Sequence, residues 1–289
     1  MHEGKAEARI NKELVIAGLA RDCAHSLPNL FSQLEALAER FDKSHFIFLE
    51  NDSLDTTKAI LRAFDISHTN ATIEFHDRIG RKHPLRTDRL AFLRNRIVEI
   101  ASEVIDDPQN AYLLLLDMDG ANSTIDIDRI AGYAKDDRGN WAGLFANQKT
   151  DYCDLWALRH PDLCPYDIWE KVRNRPEGME KREAIDTYIT TLRFTLPEDR
   201  GLVEVESAFG GLGIYRFSAL EGCRYIGLDK DGNEICEHVA FNRQIREKGG
   251  KLFIDAGLIN ALGTEAHAPP KTKWQKKRDK LRLFLKRFI

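Results

Sequence analysis

The chain has 289 residues, enough for one large α/β domain or two small ones, and 43% hydrophobic with 31% charged residues is ordinary for a globular protein. No run approaches the roughly 18 apolar residues of a membrane span, and the polar start MHEGKAEARINKE has no apolar signal core, so a cytoplasmic protein is expected. The five cysteines are odd in number and form no CxxC pair, which argues against a disulfide framework or a thiolate zinc site, and net charge is −3.

Residues 14–20 (LVIAGLA) read as a buried strand, and 27–41 carry apolar residues at helical spacing. Residues 45–49 (HFIFL) form a second strand that runs into 50–57 (ENDSLDTT), a helix-start loop continued as helix by 58–64. Residues 86–102 read as an amphipathic helix, with Leu90, Leu93, Ile97 and Ile100 on one face and Arg89, Arg94 and Arg96 interleaved. The most hydrophobic strand, 111–116 (AYLLLL), ends abruptly in Asp117-Met118-Asp119-Gly120. Strands alternating with helices imply an α/β fold with a mainly parallel sheet, whose ligands bind at the carboxyl ends of strands. Both acidic loops fall at such ends. Further on, 154–158 read as a strand, 180–194 as a helix, 203–215 as an extended stretch interrupted by FGGLG, 237–248 as a helix and 251–255 as a strand. Pro269-Pro270 closes a domain of residues 1–268 and leaves a tail, 269–289.

Asp117 and Asp119 make a hard anionic oxygen site at the end of a buried strand. Mg²⁺ or Mn²⁺ suits it, with diphosphate oxygens completing the coordination. Two other readings fit the same residues. They can be solvated loop aspartates that cap the next helix. YLLLLDMDG is also similar to the first motif of haloacid dehalogenase-type phosphatases. Against that stand its position past residue 110, Ala121 where a Thr is required, and no paired downstream acidic motif.

LVIAGLARD, FIFLENDSLDTTKAIL, RTDRLAFLRNRIVEIA and YLLLLDMDG occur in that order. Together they resemble the donor-binding half of GT-A glycosyltransferases. FLENDSLDTT resembles the acidic loop of the family-two enzymes, and LRNR their helix Arg-Asn. A closer likeness is to the cryptococcal-type capsule-associated α-mannosyltransferases and their bacterial relatives. It is carried by 50–57, by 153–159 (CDLWALR) and by 236–241 (CEHVAF), although DMDG departs from the fungal strand ending. The resemblance implies a metal-dependent transferase that moves a sugar, mannose among the candidates, from a nucleotide sugar to a hydroxyl of a glycan or glycolipid. A non-catalytic nucleotide-sugar-binding module is the alternative. The resemblance places Glu50 and Asp52 near the nucleoside with Arg21 beside them, Arg81 or Arg89 on the diphosphate, and Asp117 and Asp119 on the metal, with Met118 between them at the donor. His267 takes the place of a third metal ligand. Glu237 takes the place of the residue that removes the acceptor proton, or orients substrate in a retaining enzyme.

On the acceptor side, Gly210 and Gly211 let backbone approach a ligand closely. Asp154 and Trp156 suit sugar hydroxyls and a sugar face, and Asp154 joins Glu237 as a candidate catalytic carboxylate. His238 reads as a packing or capping residue. Residues 271–289 hold nine Lys/Arg against one Asp, so the rest of the chain carries −11. On a helix, Trp274, Leu281, Phe284, Leu285 and Phe288 share one face, with Lys273, Lys276, Lys280 and Arg287 flanking or opposing them. That is the pattern of a basic amphipathic helix lying on an anionic membrane surface; a helix that packs its apolar face on the acidic body is the alternative. The membrane reading implies a peripheral attachment to the cytoplasmic membrane and no nucleic-acid partner, because nucleic acid gives the apolar face no role.

Overall fold

The computed structural model describes residues 8–136, 139–152 and 154–261. Its strands are β1 (Ile10–Ala20), β2 (Phe41–Glu50), β3 (Ala71–Phe75), β4 (Ala111–Asp117), β5 (Gly143–Gln148), β6 (Leu202–Val205), β7 (Leu212–Arg216) and β8 (Leu252–Ala261). Its helices are α1 (Leu27–Ala38), α2 (Thr57–Ser67), α3 (Ile79–Lys82), α4 (Arg86–Val104), α5 (Ile127–Lys135), α6 (Ile168–Arg173), α7 (Lys181–Tyr188) and α8 (Glu237–Glu247). The strands form one eight-stranded sheet in the order β3-β2-β1-β4-β7-β5-β8-β6. Six run in one direction; β7 and β6 oppose them.

Alternation along the strands explains the continuous apolar runs. In β1 and β4, Val15, Ala17, Leu113 and Leu115 pack on one side, against Leu93, Ile97 and Ile100 of α4. Leu14, Ile16, Leu114 and Leu116 pack on the other, with α1, α2 and α5. A strand buried on both faces has no polar alternation to show, so LVIAGLA and AYLLLL read as solid apolar blocks. Two cores thus sandwich the sheet, which is the arrangement expected from the alternation of strands and helices.

From β1 the chain winds outward through β2 to β3, and then returns to place β4 on the other side of β1. Such a reversal opens a crevice at the carboxyl ends of the two central strands. Leu19 of β1 pairs with Asp117 of β4 there. The candidate site residues cluster at this point.

The structure departs from the sequence reading in the second half and at one edge. β3 is a half-buried edge strand with no strong pattern. β5 was hidden because it ends in two buried amides, Asn147 and Gln148. Asn147 donates to the carbonyls of Leu196 and Ala256, both at 2.9 Å, which makes its burial tolerable. Residues 154–158 form a turn and not a strand: the Asp154 carboxylate accepts from the Ala157 N–H at 3.4 Å, and the Leu158 N–H donates to the Asp154 carbonyl. The helix expected over 180–194 ends at Tyr188, where Ile189-Thr190-Thr191 brings β-branched side chains that crowd a helical turn. Among the described residues no helix is long and apolar enough to cross a membrane. Cys23, Cys164, Cys223 and Cys236 are buried free thiols. The basic tail and the domain boundary at residue 268 lie outside the described residues.

Candidate active site

A cavity of about 350 Å³ opens at the carboxyl ends of β1 and β4. Of the residues singled out from the sequence, it gathers Arg21, Arg89, Asp117, Met118, Asp119, Asp154, Trp156, Gly210, Gly211 and Glu237. A larger cavity, about 610 Å³, lies at the opposite strand ends around Leu14, Ser44 and His45. That end of a parallel sheet is not where such folds bind ligands.

Asp117 is the last residue of β4, with 40% of its side chain exposed toward the cavity. Burial of its surroundings pushes its carboxyl up to about 7; Asp119 and Asp154 push it the same way, while Arg94 and Arg86 oppose them. The next residue, Met118, borders the cavity but is fully buried. Its sulfur occupies the space left by Gly18, where a Cβ would sit 2.7 Å away. Met118 thus lines the cavity wall while its side chain is packed against Gly18. Asp119 is exposed at the rim.

The residue at the centre of this site is the first arginine of the LRNR stretch, to which the sequence assigned no contact. Arg94 of α4 is 5% exposed and ion-pairs with Glu237, with its other Nη 3.3 Å from Asp117 Oδ1. Its guanidinium lies 5.4 Å from the centroid of the Phe209 ring. Glu237, the first residue of α8, is 3% exposed. One buried guanidinium thus ties the strand-end aspartate to the helix-start glutamate. Such planar, two-pronged pairing suits arginine and not lysine.

The glycine turn is built as tightly as its sequence implies. Gly210 and Gly211 adopt φ of 66° and 85°, and the Asp117 N–H donates to the Gly211 carbonyl at 2.9 Å. Three buried amides hold the turn from behind. Gln148 and Asn260 donate to the Gly210 carbonyl at 2.9 and 2.8 Å. Asn122 donates to the carbonyls of Asp117 and Gly211 at 2.7 and 2.9 Å. Asp154 belongs to this scaffold too: one oxygen accepts from the Gly210 N–H at 3.2 Å and the other from Ala157. With both oxygens bound to backbone amides it braces the turn while lining the cavity. A Cβ on Gly210 would stand 2.5 Å from the Ala146 carbonyl oxygen. Gly210→Ala combines that clash with left-handed backbone, so a loss of roughly 2–5 kcal/mol is expected in urea unfolding. Gly211→Ala, whose nearest contact is 3.1 Å to the Ala121 methyl, is expected to lose less. Equal, small losses at both positions would contradict this account of the turn.

The nucleoside end differs from the sequence expectation. Glu50 is fully buried and outside the cavity; it accepts from the Ser53 N–H at 2.6 Å, and Lys58 Nζ is 3.6 Å away. Asp52, at φ 53°, accepts from the backbone N–H groups of Arg78 and Gly80 and fastens that loop. Arg81 is exposed and does not reach the cavity wall. Asn51, between the two acidic residues, is the one that lines the cavity, 5% exposed and with its amide nitrogen unpartnered among the described residues. Arg86 also lines it, with Arg21 and Arg89. Arg89 is anchored by a 2.7 Å bond to the His83 carbonyl. Trp156 stays at the wall, its indole N–H donating to Asp167 at 3.3 Å. His238 is in the wall as well.

Among the described residues no group of three or more His, Cys, Asp and Glu side chains forms a metal cage. His267 lies outside those residues. Two carboxylates nevertheless fit a hard divalent cation that shares its coordination with phosphate oxygens. A carboxyl pushed up to about 7 beside other aspartates is a donor set whose charge a cation would relieve.

No family model matches the chain, and no curated protein does. Solved structures are similar in shape. Residues 1–349 of S. aureus TarS align with a TM-score of 0.51 at 10% identity, over 87% of this chain and 60% of that one. The fold is GT-A. The same TarS segment in complex with UDP-GlcNAc aligns with a TM-score of 0.47 at 10% identity, over 93% of this chain and 65% of that one. The mannosyltransferase PcManGT from Pyrobaculum calidifontis, in complex with GDP-Man and Mn²⁺, aligns at 0.48 and 11% identity, over 96% and 64%. The chain thus spans less than two thirds of each of these proteins.

Proposed function

We propose that this protein is a metal-dependent glycosyltransferase that moves a sugar from a nucleotide-sugar donor to a hydroxyl of a glycan or lipid-linked acceptor. The supporting observation is the meeting, in one cavity at the switch point of a GT-A sheet, of an aspartate pair, three cavity-wall arginines and a buried Arg94–Glu237 ion pair. Kinship with the capsule-associated mannosyltransferases, and mannose as the sugar, rest on the sequence motifs.

In this reading Asp117 and Asp119 hold Mn²⁺ or Mg²⁺, which supplies positive charge to the departing diphosphate. Arg21, Arg86 and Arg89 bind phosphate oxygens, for which guanidinium forks are suited. Asn51 faces the nucleoside. The bond from the anomeric carbon to the phosphate oxygen breaks, and a bond to the acceptor oxygen forms. In an inverting reaction Glu237 takes the acceptor's proton, and Arg94 keeps that carboxylate charged and aimed. In a retaining one Glu237 orients the sugar. Trp156 supplies an aromatic face to the acceptor. The phosphatase reading finds no support in the remaining cavity carboxylates: Asp154 is bound to backbone amides and Glu237 to Arg94.

The decisive experiment is calorimetry with UDP and GDP, with Mn²⁺ and with chelator. Metal-dependent binding of one of them supports the assignment; binding of neither removes it. For the base, Glu237→Gln is expected to lower turnover roughly 10²–10⁴-fold with donor affinity kept. A loss below threefold would assign Glu237 to the ion pair alone.

The tail, 271–289, is proposed to bind an anionic membrane surface where a lipid-linked acceptor resides. Each cation near such a surface adds about 1 kcal/mol. Full-length protein is expected to co-sediment with phosphatidylserine vesicles at low salt, and a chain ending at Ala268 to stay in solution. Equal behaviour of the two removes the membrane role.

A further inference from the structure

We propose that His238 recognises the sugar ring of the nucleotide-sugar donor, hydrogen-bonding a ring hydroxyl through an imidazole that has no partner among the described residues. The proposal rests on the glycosyltransferase reading and extends it to a residue whose sequence context suggests packing or capping.

His238 follows Glu237 in the first turn of α8 and is 3% exposed, in the wall of the cavity. Among the described residues neither ring nitrogen has a hydrogen-bond partner. The ring is held face to face on Phe209, with centroids 3.8 Å apart and 19° between planes, and edge-on to Tyr225 at 5.6 Å. Its Nε2 is 3.9 Å from Glu237 Oε1, too long for a hydrogen bond.

A buried polar group without a partner costs about 1–3 kcal/mol. Phenylalanine would fill the same aromatic sandwich without that cost, so packing alone does not account for an imidazole here. A ligand that satisfies the ring does. The ring is neutral, since burial and the nearby Arg94 and Arg86 hold it well below the usual histidine range. Neutral imidazole presents one N–H donor and one lone pair. A sugar hydroxyl also donates and accepts, whereas a phosphate only accepts and is already matched by the arginines. Position selects the donor sugar. Glu237 is tied through Arg94 to Asp117, beside which the diphosphate would lie, and the sugar is the next group along from that diphosphate.

The test uses the full chain with Mn²⁺ and calorimetry against UDP, GDP, UDP-glucose, UDP-N-acetylglucosamine and GDP-mannose. His238→Phe and His238→Ala are expected to keep nucleoside diphosphate affinity within about twofold and to lose about fivefold or more for the nucleotide sugar, the size of one lost hydrogen bond. His238→Gln, which restores a donor and an acceptor, is expected to recover most of that loss. Ligand-free His238→Phe is expected to melt at or above the wild-type temperature, because an unsatisfied polar group has been removed. Equal losses for nucleotide and nucleotide sugar, no loss for either, or a lower melting temperature of His238→Phe with sugar affinity intact would each overturn the proposal. A wild-type chain that binds neither nucleotides nor nucleotide sugars removes the glycosyltransferase reading, and this proposal with it. Wild-type binding of both, unchanged in the variants, removes only the role of His238.

Discussion

Asp117→Asn is expected to abolish turnover, by about 10³-fold or more, while leaving a folded protein that is at least as stable without metal. The rate loss follows from the several kcal/mol that a bound cation supplies to a departing diphosphate, with each 1.4 kcal/mol worth about a factor of ten. The stability gain follows from electrostatics. In the folded state the carboxyl is pushed from 3.8 up to about 7, chiefly by burial and then by Asp119 and Asp154. A carboxyl whose pKa is raised on folding binds its proton more tightly when folded. Metal-free wild-type protein should therefore lose some stability as pH rises from about 4 to about 7, an effect weakened by solvent at a side chain that is 40% exposed. The sign is opposite to that of a salt-bridged carboxylate. Asp117→Asn removes this component, and added Mn²⁺ should offset it in the wild type only. Mn²⁺ affinity should fall as pH drops below about 7, because proton and metal compete for the same oxygens. Melting temperatures at pH 5 and 8, with and without Mn²⁺, test all of this. Wild-type turnover by Asp117→Asn at ordinary metal concentration would sink the metal assignment.

The first half of the fold was legible because its strands are buried on both faces and end abruptly. AYLLLL followed by Asp117 carries both the central strand and the acidic end of it. Helix α4 and the first-strand arginine, Arg21, follow from simple periodicity and position. The scaffold behind the glycine turn was not legible. Asn122, Gln148 and Asn260 are buried amides whose partners are backbone carbonyls distant in sequence. A local pattern reads such residues as loop. The acidic loop misled for a related reason. Glu50 and Asp52 look like ligand groups but bind their own and a neighbouring loop, while the neutral Asn51 faces the cavity. The strand ends at Glu50 and the chain turns through a left-handed Asp52, so which of these side chains meets the cavity is set by the loop and not by strand alternation. Arg94 had a readable signal. Thr87, Ala91, Arg94, Ile97 and Ala101 are all buried on α4 at helical spacing, so one charge falls inside an apolar stripe. A charged residue in that position needs a partner, which the sequence could not name because Glu237 is 143 residues away.

The largest stability loss is expected at that buried charge. Arg94→Met keeps much of the side-chain volume but leaves Glu237 buried and unpaired, and removes the cation that opposes the raised pKa of Asp117. Breaking a buried pair from one side costs about 3–5 kcal/mol. Urea unfolding should show a loss of that order for Arg94→Met and a smaller one for Arg94→Lys, whose single ammonium cannot reproduce a fork between two carboxylates. Arg94→Met combined with Glu237→Met should regain most of the stability, since two apolar side chains can replace a buried ion pair with little change or a gain. The double variant should remain inactive. That combination separates the pair's contribution to the fold from its contribution to chemistry. Arg94→Met at a loss below about 1 kcal/mol, the size of a solvated surface pair, would mean that Glu237 finds another partner, and the link from the metal strand to α8 would not be built on Arg94.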